Sequence, residues 1–223
     1  MNNYVAIIPA RGGSKGIKKK NLQPIGTLPM FVYSVVAARS VSAIQQVIVS
    51  SDDATILEQA ELYGAIPHKR SLHAATDGAS TESVVYNVLK TVKADNVVLI
   101  QPTSPMLLAE HLIKGIEKFE RGGYDSLFSA SVMEDMLVWD KISMYPINYD
   151  PQRRMTRQTR RRALLWENGA FFITKRNVYI EQHSRLGGKI GYHEMPFWRS
   201  FQVDDKDDLQ NIRTLMTLKS KER

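Results

Sequence analysis

A chain of 223 residues with 43% apolar and 24% charged residues has the size and composition of a globular α/β domain, which excludes disordered and fibrous classes. It contains no cysteine, so disulfides, thiolate metal centres and a cysteine nucleophile are ruled out, and any metal must be held by oxygen or imidazole. The net charge of +7 points to an anionic partner. No apolar run reaches the roughly 18 residues of a membrane helix and no leader pattern opens the chain, so a soluble cytoplasmic protein is expected.

Residues 4–8 (YVAII) are apolar and β-branched and run into Pro9 and glycine, the pattern of a buried strand entering a loop. That loop, ARGGSKGIKKKN, sets Gly12, Gly13 and Gly16 among five cations, Arg11, Lys15, Lys18, Lys19 and Lys20. Residues 30–39 have the pattern of a covering helix, 46–50 of a second buried strand, and 53–63 of a helix closed by Gly64. A helix over 81–92 takes Thr81 as its N-cap. Residues 96–100 form a strand broken by QPTSP, 108–120 a helix stopped by Gly122 and Gly123, and 125–129 a strand. From 132 to 166 the rhythm is lost in a stretch rich in Met, Pro, Tyr and Arg, which includes the basic block RRMTRQTRRR and reads as an insertion. A strand (166–174), a helix (176–183), a strand within LGGKIGYHEM and an amphipathic helix (205–219) complete the chain.

Strands apolar on both faces that alternate with helices imply a parallel sheet with right-handed crossovers. Ligands of such sheets sit at the carboxyl ends of the strands, where the glycine loop and QPTSP both lie. The loop is neither a P-loop nor a dinucleotide GxGxxG. The bare backbone at Gly12 and Gly13 can approach phosphate oxygens, Arg11 offers a planar fork, and Lys15 and Lys20 act as mobile charges; the alternative is a flexible, solvated loop. Lys18 and Lys19 are expected in solvent. Asp52 and Asp53 suit a helix cap better than a metal. Gln101, Thr103 and Ser104 offer neutral groups suited to sugar hydroxyls and amides. Asp204 is either part of an acidic first turn or a carboxylate holding magnesium against nucleotide phosphates. The five histidines show no ligand spacing.

Taken in order, IPARGGSKGIKKKN, QPTSP, GYDSLFS, RQTRRRALLWENGAFFITKR and SFQVDDKDDL resemble the CMP-sialic acid synthetase (N-acylneuraminate cytidylyltransferase) family, which includes legionaminate and pseudaminate enzymes, over residues 5–209. The resemblance implies an α/β, Rossmann-like nucleotidyltransferase fold with a mostly parallel sheet. It implies one domain over 1–223 with an inserted dimerisation segment at about 132–166. It also implies transfer of CMP from CTP to the anomeric hydroxyl of a nonulosonic acid, with Mg2+ as cofactor, in a homodimer or dimer of dimers that engages neither nucleic acid nor membrane.

On matching positions, Arg11, Lys20 and Asp204 would be catalytic, with Asp204 the metal ligand. Arg11, Gly12, Gly13, Lys15, Lys20, Asn21, Arg70 and Thr81 would bind the nucleotide. Gln101, Thr103, Ser104, Arg157 and Gln158 would bind the sugar, with Arg157 pairing its carboxylate. Four positions depart from the family pattern: Gln202 replaces the first Asp of a common D-x-D pair, Leu107 and Thr159 replace Arg and Asp, and Trp166 falls where some members carry a sugar-binding cation. Two other readings stand beside this one: a basic nucleic-acid-binding domain, against which no nucleic-acid motif is present, and an inactive dimeric relative, suggested by Gln202. Which nonulosonic acid is used, and whether one or two metals act, stays open.

Overall fold

The computed structural model of the chain describes residues 2–14, 16–70, 80–133, 136–154, 156 and 164–220. In chain order the elements are β1 (Tyr4–Pro9), a small hairpin of β2 (Pro24–Ile25) and β3 (Leu28–Pro29), α1 (Met30–Arg39), β4 (Ile44–Ser51), α2 (Ala54–Leu62) and β5 (Ile66–Lys69). Then follow α3 (Thr81–Leu89), β6 (Asn96–Ile100), α4 (Ala109–Gly122), β7 (Ser126–Met133), β8 (Leu164–Lys175), α5 (Arg176–Gln182), β9 (Ile190–Glu194) and α6 (Lys206–Ser220).

Seven strands form one sheet in the order β5-β4-β1-β6-β8-β7-β9. Every neighbouring pair is parallel except the two that involve β8, which runs against β6 and β7. The expected mostly parallel sheet is therefore present. The period of two along each strand divides the core. Tyr4, Ala6, Ile8, Val98, Ile100, Phe171 and Ile173 pack with Phe31, Ile56 and Leu112 of α1, α2 and α4. Val5, Ile7, Val97, Leu99 and Phe172 pack on the other face with Val85 and Val88 of α3 and Tyr179 of α5. A third cluster, Ile17, Ile25, Met30, Met106, Val203, Leu209 and Ile212, fastens α6 over the loop after β1 and the β2–β3 hairpin.

Three local details depart from expectation. β5 is an additional strand. Its IPHK run is short and holds Pro67, which a sheet tolerates on an edge, and β5 is the edge strand beside β4. The N-cap of α3 is Ser80, whose hydroxyl accepts from the Ser83 N–H at 3.1 Å, and Thr81 is the first helical residue. That helix ends at Leu89, and the Arg176 guanidinium donates to the carbonyls of Leu89 and Val92 at 2.7 and 2.9 Å.

Between β7 and β8 the chain leaves the sheet. Trp139 pairs with Pro146 across a narrow lobe, and Asp140 closes its tip by accepting from the Ile142 and Ser143 N–H groups at 3.1 and 2.6 Å. Ile142 is 95% exposed and Met144, Tyr145 and Ile147 each more than 60%. The lobe thus presents apolar side chains to solvent that the rest of the fold does not cover.

Candidate active site

The carboxyl ends of β1, β4, β5 and β6 lie along one edge of the sheet, and the antiparallel β8 begins at that same edge. There a cavity of about 260 Å³ opens. Arg11, Gly13, Lys20 and Asn21 line it from the loop after β1. Arg70 lines it from the end of β5, Thr81 from the start of α3, and Gln101 and Thr103 from the QPTSP turn. Residues spread over ninety positions of sequence thus share one surface.

The loop owes its shape to its glycines. The Gly12 N–H donates to Asp52 Oδ1 at 2.9 Å, and a Cβ on Gly12 would come within 2.7 Å of the Asp53 Cβ. Gly12 therefore seats the loop on the β4–α2 turn and does not line the cavity. Asp53 caps α2 through the Ile56 N–H at 3.2 Å, so both acidic residues are structural, as their spacing suggests. Gly13 is open, with nothing within 4 Å of an added Cβ. At Gly16 a Cβ would lie 2.6 Å from the Asp204 carbonyl oxygen, so only glycine admits this close approach of the far end of the chain. Lys18 and Lys19 are exposed. Lys19 takes a left-handed φ of 52°, and the turn directs Lys20 inward. Lys15 lies outside the described residues.

One cation and one amide are held with unspent hydrogen-bonding capacity. Arg70 is 9% exposed and donates one amino group to the Ser50 carbonyl at 2.5 Å, while its Nε is buried with no partner among the described residues. Burial lowers its pKa, the Asp52 carboxylate opposes that shift, and the nearby Arg11 adds to it. Arg11 and Arg70 facing one cavity make it a receptor for anions. Asn21 is 5% exposed; its Nδ2 donates to the Arg11 carbonyl at 2.8 Å, and its Oδ1 is buried and unpartnered among the described residues. It fixes Arg11 and keeps an acceptor for a ligand.

Lys20 reaches across to the end of the chain, where its Nζ donates to the Val203 carbonyl at 2.9 Å and to Asp204 Oδ1 at 3.1 Å. The acidic run there divides its labour. Asp205 caps α6 by accepting from the Asp207 and Asp208 N–H groups, both at 2.9 Å, and Asp208 reaches back to the Asp204 N–H at 3.0 Å. The Asp204 carboxylate, 73% exposed, takes no part in that cap and stands beside the cavity rim at Lys20.

The QPTSP turn follows β6. The Gln101 N–H bonds to Ala170 O of β8 at 3.0 Å, and Thr103 O accepts from the Val203 N–H at 2.9 Å. Ser104 is 1% exposed and is not among the residues lining the cavity; its N–H closes the turn on Gln101 O at 3.2 Å. Arg157, Gln158 and Thr159 lie outside the described residues.

Residues 5–218 match the family model described as cytidylyltransferase. The chain belongs to the cytidylyltransferase family. It is 34% identical to N-acylneuraminate cytidylyltransferase A of Danio rerio over 89% of this chain and 47% of that one. It is 26% identical to the post-translational flagellin modification protein B of Campylobacter coli over 99% and 97% of the two chains. The chain spans about half the length of the curated N-acylneuraminate cytidylyltransferases it matches. In fold it is similar to a CMP:2-keto-3-deoxy-manno-octonic acid synthetase solved with CTP, with a TM-score of 0.73 over 97% of this chain and 99% of that one at 17% identity.

Three of the four positions that depart from the family pattern, Leu107, Trp166 and Gln202, have structural counterparts. Leu107 is 2% exposed and belongs to the core beneath α1 and α4, where an arginine head would be buried. Trp166 packs with Phe197 and Phe201, ring centres 5.6 and 6.1 Å away. Gln202, unassigned by the sequence except as a missing Asp, bonds at both ends of its amide: Oε1 accepts from Thr103 Oγ1 at 3.4 Å and Nε2 donates to the Asn168 carbonyl.

The donor set also bears on a metal. Among the described residues no three His, Asp or Glu side chains cluster as a metal cage. Magnesium commonly takes one or two carboxylates and completes its shell with water and substrate phosphates. One exposed carboxylate, Asp204, beside a cationic cavity fits that mode for a single ion.

Proposed function

We propose that this cytidylyltransferase transfers CMP from CTP to the anomeric hydroxyl of a nonulosonic acid and releases pyrophosphate. The observation that carries the reading is the convergence of Arg11, Lys20 and Arg70 on one cavity whose other wall, Gln101 and Thr103, is neutral and hydrogen-bonding. The cationic wall suits a triphosphate and the neutral wall a polyhydroxylated acceptor.

In this reaction the anomeric oxygen attacks the α-phosphorus, the bond from that phosphorus to the β-phosphate oxygen breaks, and the hydroxyl proton passes to solvent. Catalysis is then alignment of the nucleophile and neutralisation of phosphate charge. Arg11 and Lys20 grip the triphosphate, with Lys15 and the open backbone at Gly13 beside them and Gly12 shaping the loop. Asn21, Arg70 and Thr81 receive the cytidine end. Gln101 and Thr103 hold the sugar, Ser104 supports their turn, and Arg157 with Gln158 pairs the sugar carboxylate. Mg2+, held by Asp204, supplies further neutralisation of the phosphates when bound. The exposed apolar lobe is the segment through which a homodimer forms, in the cytoplasm.

Pyrophosphate release measured with each nucleoside triphosphate, with and without a panel of nonulosonic acids in magnesium, tests the reading. Turnover that needs both CTP and one sugar acid is expected. Absence of turnover with salt-sensitive nucleic-acid binding, or inactivity restored by Gln202→Asp, would overturn it.

A further inference from the structure

We infer that Gln202 is a positioning residue that clamps the backbone carrying Asp204 to the QPTSP turn and to β8, and that it is not itself a metal ligand. The inference rests on the cytidylyltransferase reading above.

Three segments meet at this side chain. The QPTSP turn contributes the Thr103 hydroxyl, β8 contributes the Asn168 carbonyl, and Gln202 sits two residues before Asp204. The contact with β8 is prepared on both sides. Gly169 takes a φ of +67°, and a Cβ there would collide with Gln202 Nε2, so glycine makes the space that the amide fills.

Asn168 is itself immobile. It is 1% exposed, its Oδ1 accepts from Ser129 Oγ at 2.6 Å and from the Ala170 N–H at 3.1 Å, and its Nδ2 donates to Ser200 Oγ at 2.8 Å. Its carbonyl is thus a fixed acceptor, and Gln202 ties residue 202 to it. The next residue is tied as well, by the Val203 N–H to Thr103 O at 2.9 Å and by Lys20 Nζ to Val203 O at 2.9 Å. Asp204, whose carboxylate is exposed, is placed by these bonds together with the bond of its own N–H to Asp208 Oδ2 at 3.0 Å.

The chemistry of the clamp requires an amide. A carbonyl oxygen accepts only, so its partner must donate, and a carboxylate at 202 has no proton to donate near neutral pH. Each end of the Gln202 amide has a partner within the protein, a hydroxyl at Oε1 and a carbonyl at Nε2, which turns the side chain toward the protein and makes it a support for a candidate ligand. An Asp or Glu at this position sets two acceptors against each other and releases the strand.

The test is a calorimetric titration of CTP into the full chain, once in EDTA and once with Mn2+, with bound Mn2+ followed by its paramagnetic resonance. For Gln202→Glu, CTP binding in EDTA is retained while Mn2+·CTP affinity falls about tenfold or more, as expected when the support of a metal ligand is lost. Gln202→Asn, one methylene short, and Thr103→Val, which frees one end of the clamp, show smaller losses of the same kind, and they decide the matter if Gln202→Glu does not fold. A purely structural role would weaken both titrations together, and tighter Mn2+ binding by Gln202→Glu would make residue 202 a ligand; either result, or wild-type behaviour in all three variants, overturns the inference alone. A wild-type chain that binds no CTP overturns the nucleotidyl-transfer reading and the inference with it.

Discussion

Lys20 Nζ and Asp204 Oδ1 are 3.1 Å apart, although 184 positions separate them in the chain. The lysine side chain is 15% exposed and the aspartate 73%, so the bond is screened and contributes under about 1 kcal/mol to stability. On the proposed reading its weight is in function, because the cation assigned to phosphate and the carboxylate assigned to a metal bond to each other. Asp204→Asn is expected to leave the melting temperature nearly unchanged. Magnesium-dependent turnover falls about 100-fold or more, since a metal supplies several kcal/mol of charge stabilisation. Affinity for CTP in EDTA is kept or rises, because Lys20 loses its competitor. Initial rates and calorimetry on the same preparation check both halves.

Arg70 carries two opposing effects. Burial disfavours its charge, while one guanidinium amino group is bound to Ser50 O and Nε awaits a partner. Arg70→Met removes a buried cation and fills the same space, so stability in urea is unchanged or higher. Charge-assisted hydrogen bonds to phosphate or base are lost, and CTP affinity falls by about ten- to a hundredfold. Arg70→Lys does not rescue it, because a point charge on a flexible stem cannot reproduce the fork.

His111 of α4 and His193 of β9 form a neutral pair where the helix meets the sheet. Their ring centres are 6.3 Å apart, and burial is the main cause that pushes each down to about 4. His111 Nδ1 accepts the Leu108 N–H at 3.2 Å, which requires that nitrogen to be unprotonated. Glu110 opposes the shift at His111, while Arg199 and Lys114 add to it; Lys114, Lys118 and His111 itself add to that of His193. The unfolded rings protonate near 6.5, so between 6.5 and about 4 the unfolded state binds more protons. The stability these rings contribute is complete above 6.5, declines as pH falls through that window, and is gone below about 4. The loss is at most about 3 kcal/mol for each ring. Urea midpoints across the window should show this slope, and His193→Leu should flatten it.

The lobe between β7 and β8 makes a prediction about assembly. Ile142 is 95% exposed, and Met144, Tyr145 and Ile147 follow within five residues, each more than 60% exposed; on the proposed reading these apolar side chains are covered by a second copy of the chain. Sedimentation should give a dimer for the wild type and a monomer for Ile142→Asp combined with Tyr145→Asp, with thermal stability of the monomer retained.

The main frame of the fold was readable because its strands are buried on both faces and therefore show as unbroken apolar runs. The limits of β6 coincide with its sequence pattern for that reason, and those of α1 match the apolar run 30–39. β5 escaped because four residues, one of them proline, on an exposed edge leave no apolar run. In the site, the glycine loop was legible from its place after β1, and it separates Lys20, which turns inward, from the exposed Lys18 and Lys19. Gln202 was not legible as a clamp. Its role depends on a carbonyl brought from β8 and a hydroxyl from the turn after β6, and contacts of 34 and 99 positions leave no local signal.

The reversal of β8 has an evolutionary consequence. Because this strand alone runs upstream, the chain leaving the lobe enters the sheet at the ligand end, and only Leu164 to Glu167 separate the start of β8 from Asn168. The cationic wall, Arg11, Lys20 and Arg70, comes instead from the loop after β1 and the end of β5. On the proposed reading, insertions or new contacts at the lobe act first on the acceptor side and reach the phosphate side only through the Gln202 bond to the Asn168 carbonyl, so substrate choice and nucleotide choice are free to diverge at different rates.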